Sequence, residues 1–525
     1  MPNNDKNLPK HLFVGRAEDI ENPKERRLYR FFEIIPGALI WLTFAVVIAM
    51  SYFKPFWMGI FILAFAFFWL LKSVYLSLHL KSAYRIMQKH EKMNWLDKVK
   101  GLSSSEYTAN VSDWRDVWHL VVIPMYDESY EILKGSFDAL VDTDWPKEKM
   151  IIVLATEEKA GKEARERANR IRNEFGKEFG NFLITVHPKN IPGEVAGKGS
   201  NETWGTKRAK EEIIDPKNIP YDHILVSSLD SDTVVYPRYF SCLTYHFLTA
   251  EKPYRASYQP IPMFINNIWQ APAISRVSSF SSSFWHTMSQ EMPEKQTTFS
   301  SHSMTFRALV DVGFWQTNVV SEDSRIFFQC FLRYGGDYRV VSLYYPIAMD
   351  ANVASSFWKT FLNIYKQQKR WGYGSENIPY LLYGYYKDRS IPFGKFFRHA
   401  FNKIEGFYSW ATYALLLFVL GWLPVMLGGD EFSTNLFSYN LINMVRFLLT
   451  IAMFGVVSSA YLSVVLLPPR PPEYGKYKYA VMILQWFLIF VTLIILGAFP
   501  AIDAQTRLML KRYMGFWVTP KHRKG

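Results

Sequence analysis

The sequence predicts an α/β domain with a parallel, doubly wound sheet, joined to a set of membrane-spanning α-helices. Two observations carry that expectation. Between Val117 and Leu229, short apolar runs alternate with helix-like segments at the spacing of a parallel sheet. Elsewhere lie five near-continuous apolar runs of spanning length: Ile34 to Phe53, Phe56 to Leu78, Phe407 to Leu427, Leu441 to Leu467 and Ala480 to Pro500. A chain of 525 residues is too long for one compact domain, and its mean hydropathy of -0.05 averages a polar domain with lipid-embedded helices.

A net charge of +13 raises the question of nucleic acid, but the basic residues gather beside the apolar runs. Lys24, Arg26, Arg27 and Arg30 precede the first run; Lys81, Arg85, Lys89 and Lys92 follow the second. Such flanks place both ends of the first hairpin, and the α/β domain after it, on the cytoplasmic side of a plasma (inner) membrane, with lipid rather than nucleic acid as partner. The first apolar run starts too late and is too long for a cleavable signal peptide. Cys242 and Cys330 are expected to be reduced and buried.

In chain order, Met1 to Arg30 reads as a polar arm lying on the membrane surface, and Lys81 to Val111 as a charged connector. Val117 to Ile123 reads as a buried strand, followed by the turn Pro124-Met125-Tyr126-Asp127-Glu128 and a helix over Glu131 to Leu140. Ile151 to Leu154 and Phe182 to Val186 are further strands, separated by a charged helix over Glu163 to Phe175. Gly199 to Glu212 reads as helical, and His223 to Leu229 as the fourth strand.

That strand ends in Asp230-Ser231-Asp232, which puts two carboxylates on the loop where open α/β sheets bind ligands. Two oxygen donors so close suit a hard cation, Mg2+ or Mn2+, that keeps positions for phosphate; a solvated turn looks the same in sequence. Lys198, in Gly197-Lys198-Gly199-Ser200-Asn201, precedes a helix where a diphosphate would meet ammonium and backbone donors, or where a loop lysine is merely solvated. The Walker spacing is absent. Ser321-Glu322-Asp323 is either a helix cap before Arg325 to Leu332 or a general base.

Over Ser356 to Tyr373, at about 100° per residue, Phe357, Trp358, Phe361, Leu362, Ile364 and Tyr365 share one face, with Gln367, Arg370 and Trp371 on another. The reading is a helix in the membrane interface that offers Gln, Arg and Trp upward to the α/β domain; a helix simply packed on that domain has the same period. Gly515 to Lys521, in the basic tail, reads alone as an interface anchor.

Taken together these motifs resemble the membrane-embedded family 2 glycosyltransferases, the group that includes cellulose, hyaluronan and chitin synthases. The matching pieces, in order, are Pro124 to Glu128, Lys198 with Asn201, Asp230-Ser231-Asp232, Tyr258-Gln259-Pro260 with Phe264 and Asn266, Ser321-Glu322-Asp323, Gln367-Gln368-Lys369-Arg370-Trp371, and Phe516-Trp517-Val518-Thr519. The resemblance implies a GT-A catalytic domain, Rossmann-like, beside the transmembrane helices. Pro124, Tyr126, Glu128, Lys198, Asp230 and Arg370 would bind the nucleotide sugar, with Asp232 and Asp230 on a Mg2+ or Mn2+ ion. Asp323 would be the base with Glu322 beside it, Gln367 and Trp371 would meet the acceptor, and Phe516, Val518 and Thr519 would form a mobile loop over the nucleotide.

The implied organisation is an arm (1–33), a transmembrane hairpin (34–80), the catalytic domain (81–350), interface helices (351–400), a transmembrane region (401–510) and a cytoplasmic tail (511–525). The implied activity is inverting transfer from a UDP-sugar to a β-linked polysaccharide, processive and coupled to translocation. A transferase adding one sugar to a membrane lipid is the alternative, and a non-catalytic transporter or nucleotide-sensing scaffold is the alternative of another class. Gln368 stands where cellulose synthases carry arginine, which points away from cellulose. Ala155-Thr156-Glu157-Glu158 lacks the usual acidic cluster after strand two. A full fifth span would export the tail, so either Ala480 to Leu510 is re-entrant, turning near Gly497 to Pro500, which is the favoured expectation, or the tail is external and Phe516 to Thr519 do not form the loop.

Overall fold

The computed structural model describes residues 8–520; residues 1–7 of the expected arm and 521–525 of the expected tail lie outside the described residues. Two long helices open the chain. In α1 (Pro23–Phe53) proline sits at the start and the Asn22 side chain accepts from Lys24 N at 2.9 Å, a capped entry. Pro55 ends that helix and starts α2 (Pro55–Lys92). At ~1.5 Å per residue, a 38-residue helix is nearly twice as long as a ~30 Å hydrocarbon layer is thick. The last turns of α2 therefore stand clear, and Leu80 and Met87 pack with Ile261 and Met263 of the α/β domain. The first part of the expected connector is thus helix.

One eight-stranded sheet organises that domain. Its strands are β1 (Trp118–Met125), β2 (Met150–Glu157), β3 (Asn181–His187), β4 (Ile224–Ser228), β5 (Val234–Val235), β6 (Ala256–Phe264), β7 (Ser303–Thr305) and β8 (Arg339–Met349). They lie in the order β3-β2-β1-β4-β7-β6-β8-β5. The first four are parallel, as expected of a doubly wound half. The remainder departs from an all-parallel sheet: β7 runs antiparallel to both β4 and β6, and β6 pairs parallel with β8. Pro260, without an amide hydrogen, falls where the β6–β8 register shifts between Gln259 and Ile261. In β1, Val121 and Ile123 face one core with Phe137 and Phe240, while Leu120 and Val122 face another with Phe306 and Phe328.

Helices α3 (Tyr130–Val141), α4 (Gly161–Phe175), α5 (Lys198–Ala209), α6 (Ala273–Ser289) and α7 (Glu322–Arg333) flank the sheet. The amphipathic stretch forms α8 (Phe357–Gly372), capped by Ser356 Oγ accepting from Lys359 N at 3.3 Å. Its apolar face divides. Phe357, Trp358 and Leu362 are exposed, whereas Ile364 is buried against Ile274 and Leu496.

Beyond it, α9 (Phe393–Phe418) bends by 48° into Leu420–Leu427, and α10 (Leu436–Val465) returns. By length and apolarity four helices can span a membrane, or five if the bent pair counts as one span. One of the four is α11 (Tyr477–Met509), and its contacts set it apart. Near its start Trp486 stacks on Phe284 of α6 at 5.8 Å; near its end Leu508 packs with Val320 and Tyr373. Arg30 also donates to the Leu508 carbonyl at 2.9 Å. Both ends touch the α/β domain, while between them Ala501 packs with Ile40 of α1 and Ala411 of α9, and Phe490 meets Phe418 of α9 at 5.3 Å. The turn expected near Gly497 to Pro500 does not occur: the helix runs on from Tyr477 to Met509, 33 residues, long and apolar enough to span. Its course leaves the tail on the domain's side.

The described part of the arm is corrected in the same way. Leu12 is fully buried beside Phe306 and Phe328, and its carbonyl accepts from Tyr380 Oη at 3.0 Å. The arm is a strap on the α/β domain, held by apolar side chains that its polar composition hides.

Candidate active site

Strand β4 is buried throughout and delivers Asp230 beside the end of β1: Leu229 N donates to Val122 O at 3.0 Å. Ser300 Oγ donates to Asp230 Oδ2 at 2.5 Å. Asp232, only 2% exposed, accepts from Asp350 N at 3.1 Å. Asn266 Nδ2 donates to Asp350 Oδ1 and to the Asp232 carbonyl, each at 3.0 Å, and so clamps the turn to the end of β8.

Lys198 opens α5 and points into this turn. Its ammonium lies 2.7 Å from Asp230 Oδ1, 2.9 Å from Asp323 Oδ1 and 3.7 Å from Glu202 Oε1. Burial alone would lower its pKa, but the surrounding carboxylates, Asp230 and Asp323 foremost, outweigh it and raise the pKa well above the usual value. One ammonium cannot hold so many ionised carboxylates. Burial, with Asp323 repelling, pushes Glu202 up to about 8, and for the same two reasons Glu322 also rises well above the carboxylate range.

The acidic pair therefore separates. Glu322 is 1% exposed and packed against Gly199, where an added Cβ would meet its Cβ at 2.8 Å. The Asp323 side chain keeps 20% exposure beside Lys198, with His302 Nδ1 4.0 Å away. Both acids lie in the first turn of α7, which starts before Arg325, and Ser321 caps it with no side-chain bond. The loop is held instead by Glu376, whose Oε1 accepts from Val320 N at 3.0 Å, Ser321 N at 2.9 Å and Ser321 Oγ at 2.7 Å. Buried Arg325 donates to Asn377 Oδ1 at 2.5 Å and Gln316 Oε1 at 3.0 Å.

The Pro124 to Glu128 turn sits at the adjacent strand end, closed by Tyr126 N donating to Glu128 Oε2 at 2.8 Å. From α8, Trp371 lies 6.1 Å from the Phe264 ring and, with Gln367, Asp350 and Asn352, lines a cavity of about 10 Å³. The tail closes the other flank. Arg370 stacks on the Phe516 ring at 4.8 Å, and that ring fills the space beside Gly197, where an added Cβ would meet it at 2.4 Å. Val518 and Thr519 are half-buried behind it. Asp230, Asp232, Lys198, Asp323, Arg370 and Phe516 are thus brought together. Glu322 is turned away into protein.

Sequence reasoning missed Glu202, Ser300, His302, Asp350 and Glu376. Glu202 sits one helical turn after Lys198, a spacing that flags an ion pair; the others come from segments with no motif. Among the described residues, no three His, Cys, Asp or Glu side chains gather to cage a cation. Carboxylates one residue apart at a strand end suit instead Mg2+ or Mn2+ completing its shell with phosphate oxygens and water.

No curated protein matches the chain in sequence. Among solved structures, the mannosyltransferase PcManGT from Pyrobaculum calidifontis in complex with GDP-Man and Mn2+ is 11% identical, with 74% of this chain and 99% of that one covered at a TM-score of 0.40. S. aureus TarS 1-349 in complex with UDP is 11% identical over 66% and 91% of the two chains, TM-score 0.30. GalNAc-T7 with UDP, GalNAc and Mn2+ is 9% identical over 56% and 58%, TM-score 0.33. Likeness at that level carries no argument about activity. The profile of Glycosyl transferase family group 2, in contrast, matches residues 225–502, from β4 through both acidic motifs and α8 to α11. With more than half of its length inside that profile, the chain belongs to the family 2 glycosyltransferases.

Proposed function

We propose that this glycosyltransferase transfers a sugar, with inversion, from a UDP-sugar to a hydroxyl of a growing β-linked glycan at the cytoplasmic face of the plasma (inner) membrane. One observation carries the reading: Lys198 joins the Asp323 carboxylate to Asp230 of the Asp230–Asp232 turn, and Arg370 of α8 stacks on the Phe516 ring beside Gly197. In this reading Pro124, Tyr126 and Glu128 border the nucleotide, and Asp230 faces its ribose. A Mg2+ or Mn2+ ion held by Asp232, with Asp230 beside it, would neutralise the departing diphosphate. Lys198 and Arg370 add positive charge to the same group.

Asp323 accepts the acceptor hydroxyl's proton as that oxygen forms its bond to the anomeric carbon. The bond to the diphosphate breaks on the opposite face, and no second catalytic carboxylate is needed. Glu322, enclosed in protein, supports Asp323 without sharing that task. Trp371 offers a flat apolar face to the acceptor ring beside Gln367, while Phe516, Val518 and Thr519 close over the nucleotide. The basic flanks of α1 and α2 support a cytoplasmic domain.

The alternative reading is addition of one sugar to a membrane lipid. The test is a donor panel on purified protein with Mg2+ or Mn2+, following UDP release and product size. Long glycan from one donor supports the first reading, and a single-sugar glycolipid the second. Absence of transfer from every nucleotide sugar refutes both.

A further inference from the structure

A second cavity, of about 250 Å³, lies at the opposite end of the sheet from the acidic site. It opens at the beginnings of β6 and β8, where Arg255 and Arg339 sit, whereas Phe264 and Asp350 mark the ends of the same strands. At ~3.3 Å per residue the two sites are some 25 Å apart. The first two turns of α9, with Lys395 and Arg398, form one further wall, and Phe327 and Glu294 line the rest.

The charge balance there is uneven. Of three lining carboxylates, Asp337 is bound by Lys252 at 3.0 Å and Glu251 by Arg339 at 2.7 Å, which leaves Glu294 against Arg255, Lys395 and Arg398. Among the described residues no carboxylate lies within salt-bridge distance of those three cations. Two guanidinium nitrogens, Arg255 Nη1 and Arg339 Nε, are buried with no hydrogen-bond partner. Arg255 is nevertheless fixed, its guanidinium 3.5 Å above the Tyr334 ring. A rigid cation with an unused donor is arranged for an anion.

The same helix says where that anion comes from. Phe393, Phe397 and Phe401, at four-residue spacing on α9, are 65%, 54% and 55% exposed. This aromatic stripe, immediately before the spanning part of the helix, belongs in the membrane interface, and Arg398 borders it about 100° round the helix. We propose that the cavity binds a phosphate group, supplied by the headgroup of an anionic lipid that reaches it past Arg398, at the edge of the phenylalanine stripe.

The test uses the full-length protein in neutral detergent, with thermal unfolding read against added phosphatidylglycerol, phosphatidylcholine or inorganic phosphate. Phosphatidylglycerol is expected to raise Tm by about 2–4 °C near saturation. The Arg255→Gln/Arg398→Gln variant should need roughly tenfold more lipid for the same rise. A rise with inorganic phosphate that the double variant loses supports the phosphate site and assigns it to a soluble ligand. Equal rises in wild type and variant, a rise with phosphatidylcholine equal to that with phosphatidylglycerol, or no rise with any addition overturns the proposal. Should the double variant fail to fold, Lys395→Gln, on an exposed side chain, gives the same comparison.

Discussion

The Lys198 ammonium lies 2.9 Å from the Asp323 carboxylate, across 125 residues of sequence. A diphosphate entering the same space competes for Lys198, so donor binding itself would loosen the grip on Asp323 and on Asp230. In the proposed reaction, donor arrival and activation of the acceptor hydroxyl would be coupled through one side chain.

That coupling separates two substitutions. Asp323→Asn is expected to lower sugar transfer by roughly 10²–10⁴-fold while leaving UDP affinity and Tm near wild type, because Lys198 keeps Asp230. Lys198→Met should lower UDP affinity and Tm together, since it leaves Asp230 and Asp323 facing each other without the cation. Binding by calorimetry, unfolding by scanning fluorimetry and transfer from labelled donor distinguish them. An Asp323→Asn protein with full transfer removes the base assignment.

The tail gives a test of geometry alone. Gly197 has φ 164°, extended backbone open to any residue, so an alanine there meets no strain except the Phe516 ring at 2.4 Å. Gly197→Ala should displace Phe516 and reduce transfer, whereas with Phe516→Ala already present the same change should do little more. A double-mutant cycle on kcat/KM is expected to show coupling of about 0.5–3 kcal/mol; additivity would mean that the tail does not act at this loop.

Much of the site was legible because its pieces are local. A strand followed by Asp230-Ser231-Asp232 and a glycine-flanked Lys198 before a helix each declare themselves within five residues. The antiparallel half of the sheet was not legible: β7 is three residues long, and β6 reads as a motif around Pro260 rather than as a strand. Composition misled for the arm, and the charge pattern placed a turn in α11 where the helix is continuous. Whether a mostly polar segment lies free or straps onto a domain depends on a few apolar side chains such as Leu12, which mean composition does not register. Burial likewise decided Glu322 against Asp323, adjacent carboxylates that sequence treats alike.

Trp371 and Phe264 together predict acceptor behaviour. Their rings, 6.1 Å apart, form an apolar corner beside Gln367. Trp371→Ala should raise the acceptor KM and shorten any polymeric product while UDP release in the absence of acceptor stays near wild type; Trp371→Phe should recover part of the loss. Chromatographic product sizing beside a UDP-release assay reads both, and unchanged product length with a normal acceptor KM would place the acceptor elsewhere.

His119 sets an acid limit on stability. Its ring is fully buried in β1, with Nε2 2.9 Å from Thr244 Oγ1 and the Trp145 and Phe240 rings within 5 Å. Burial lowers its pKa to about 3, against about 6.5 in an unfolded chain. Between those values the unfolded chain binds a proton that the folded chain refuses, so stability is complete above pH ~6.5 and falls as pH drops toward 3. The slope is at most about 1.4 kcal/mol per pH unit for this one group. His119→Phe removes the titration while keeping an aromatic ring among aromatic neighbours. Thermal unfolding from pH 7 to pH 4 should therefore show a shallower decline in Tm for the variant than for wild type, and parallel curves would mean that His119 already takes up its proton in the folded protein.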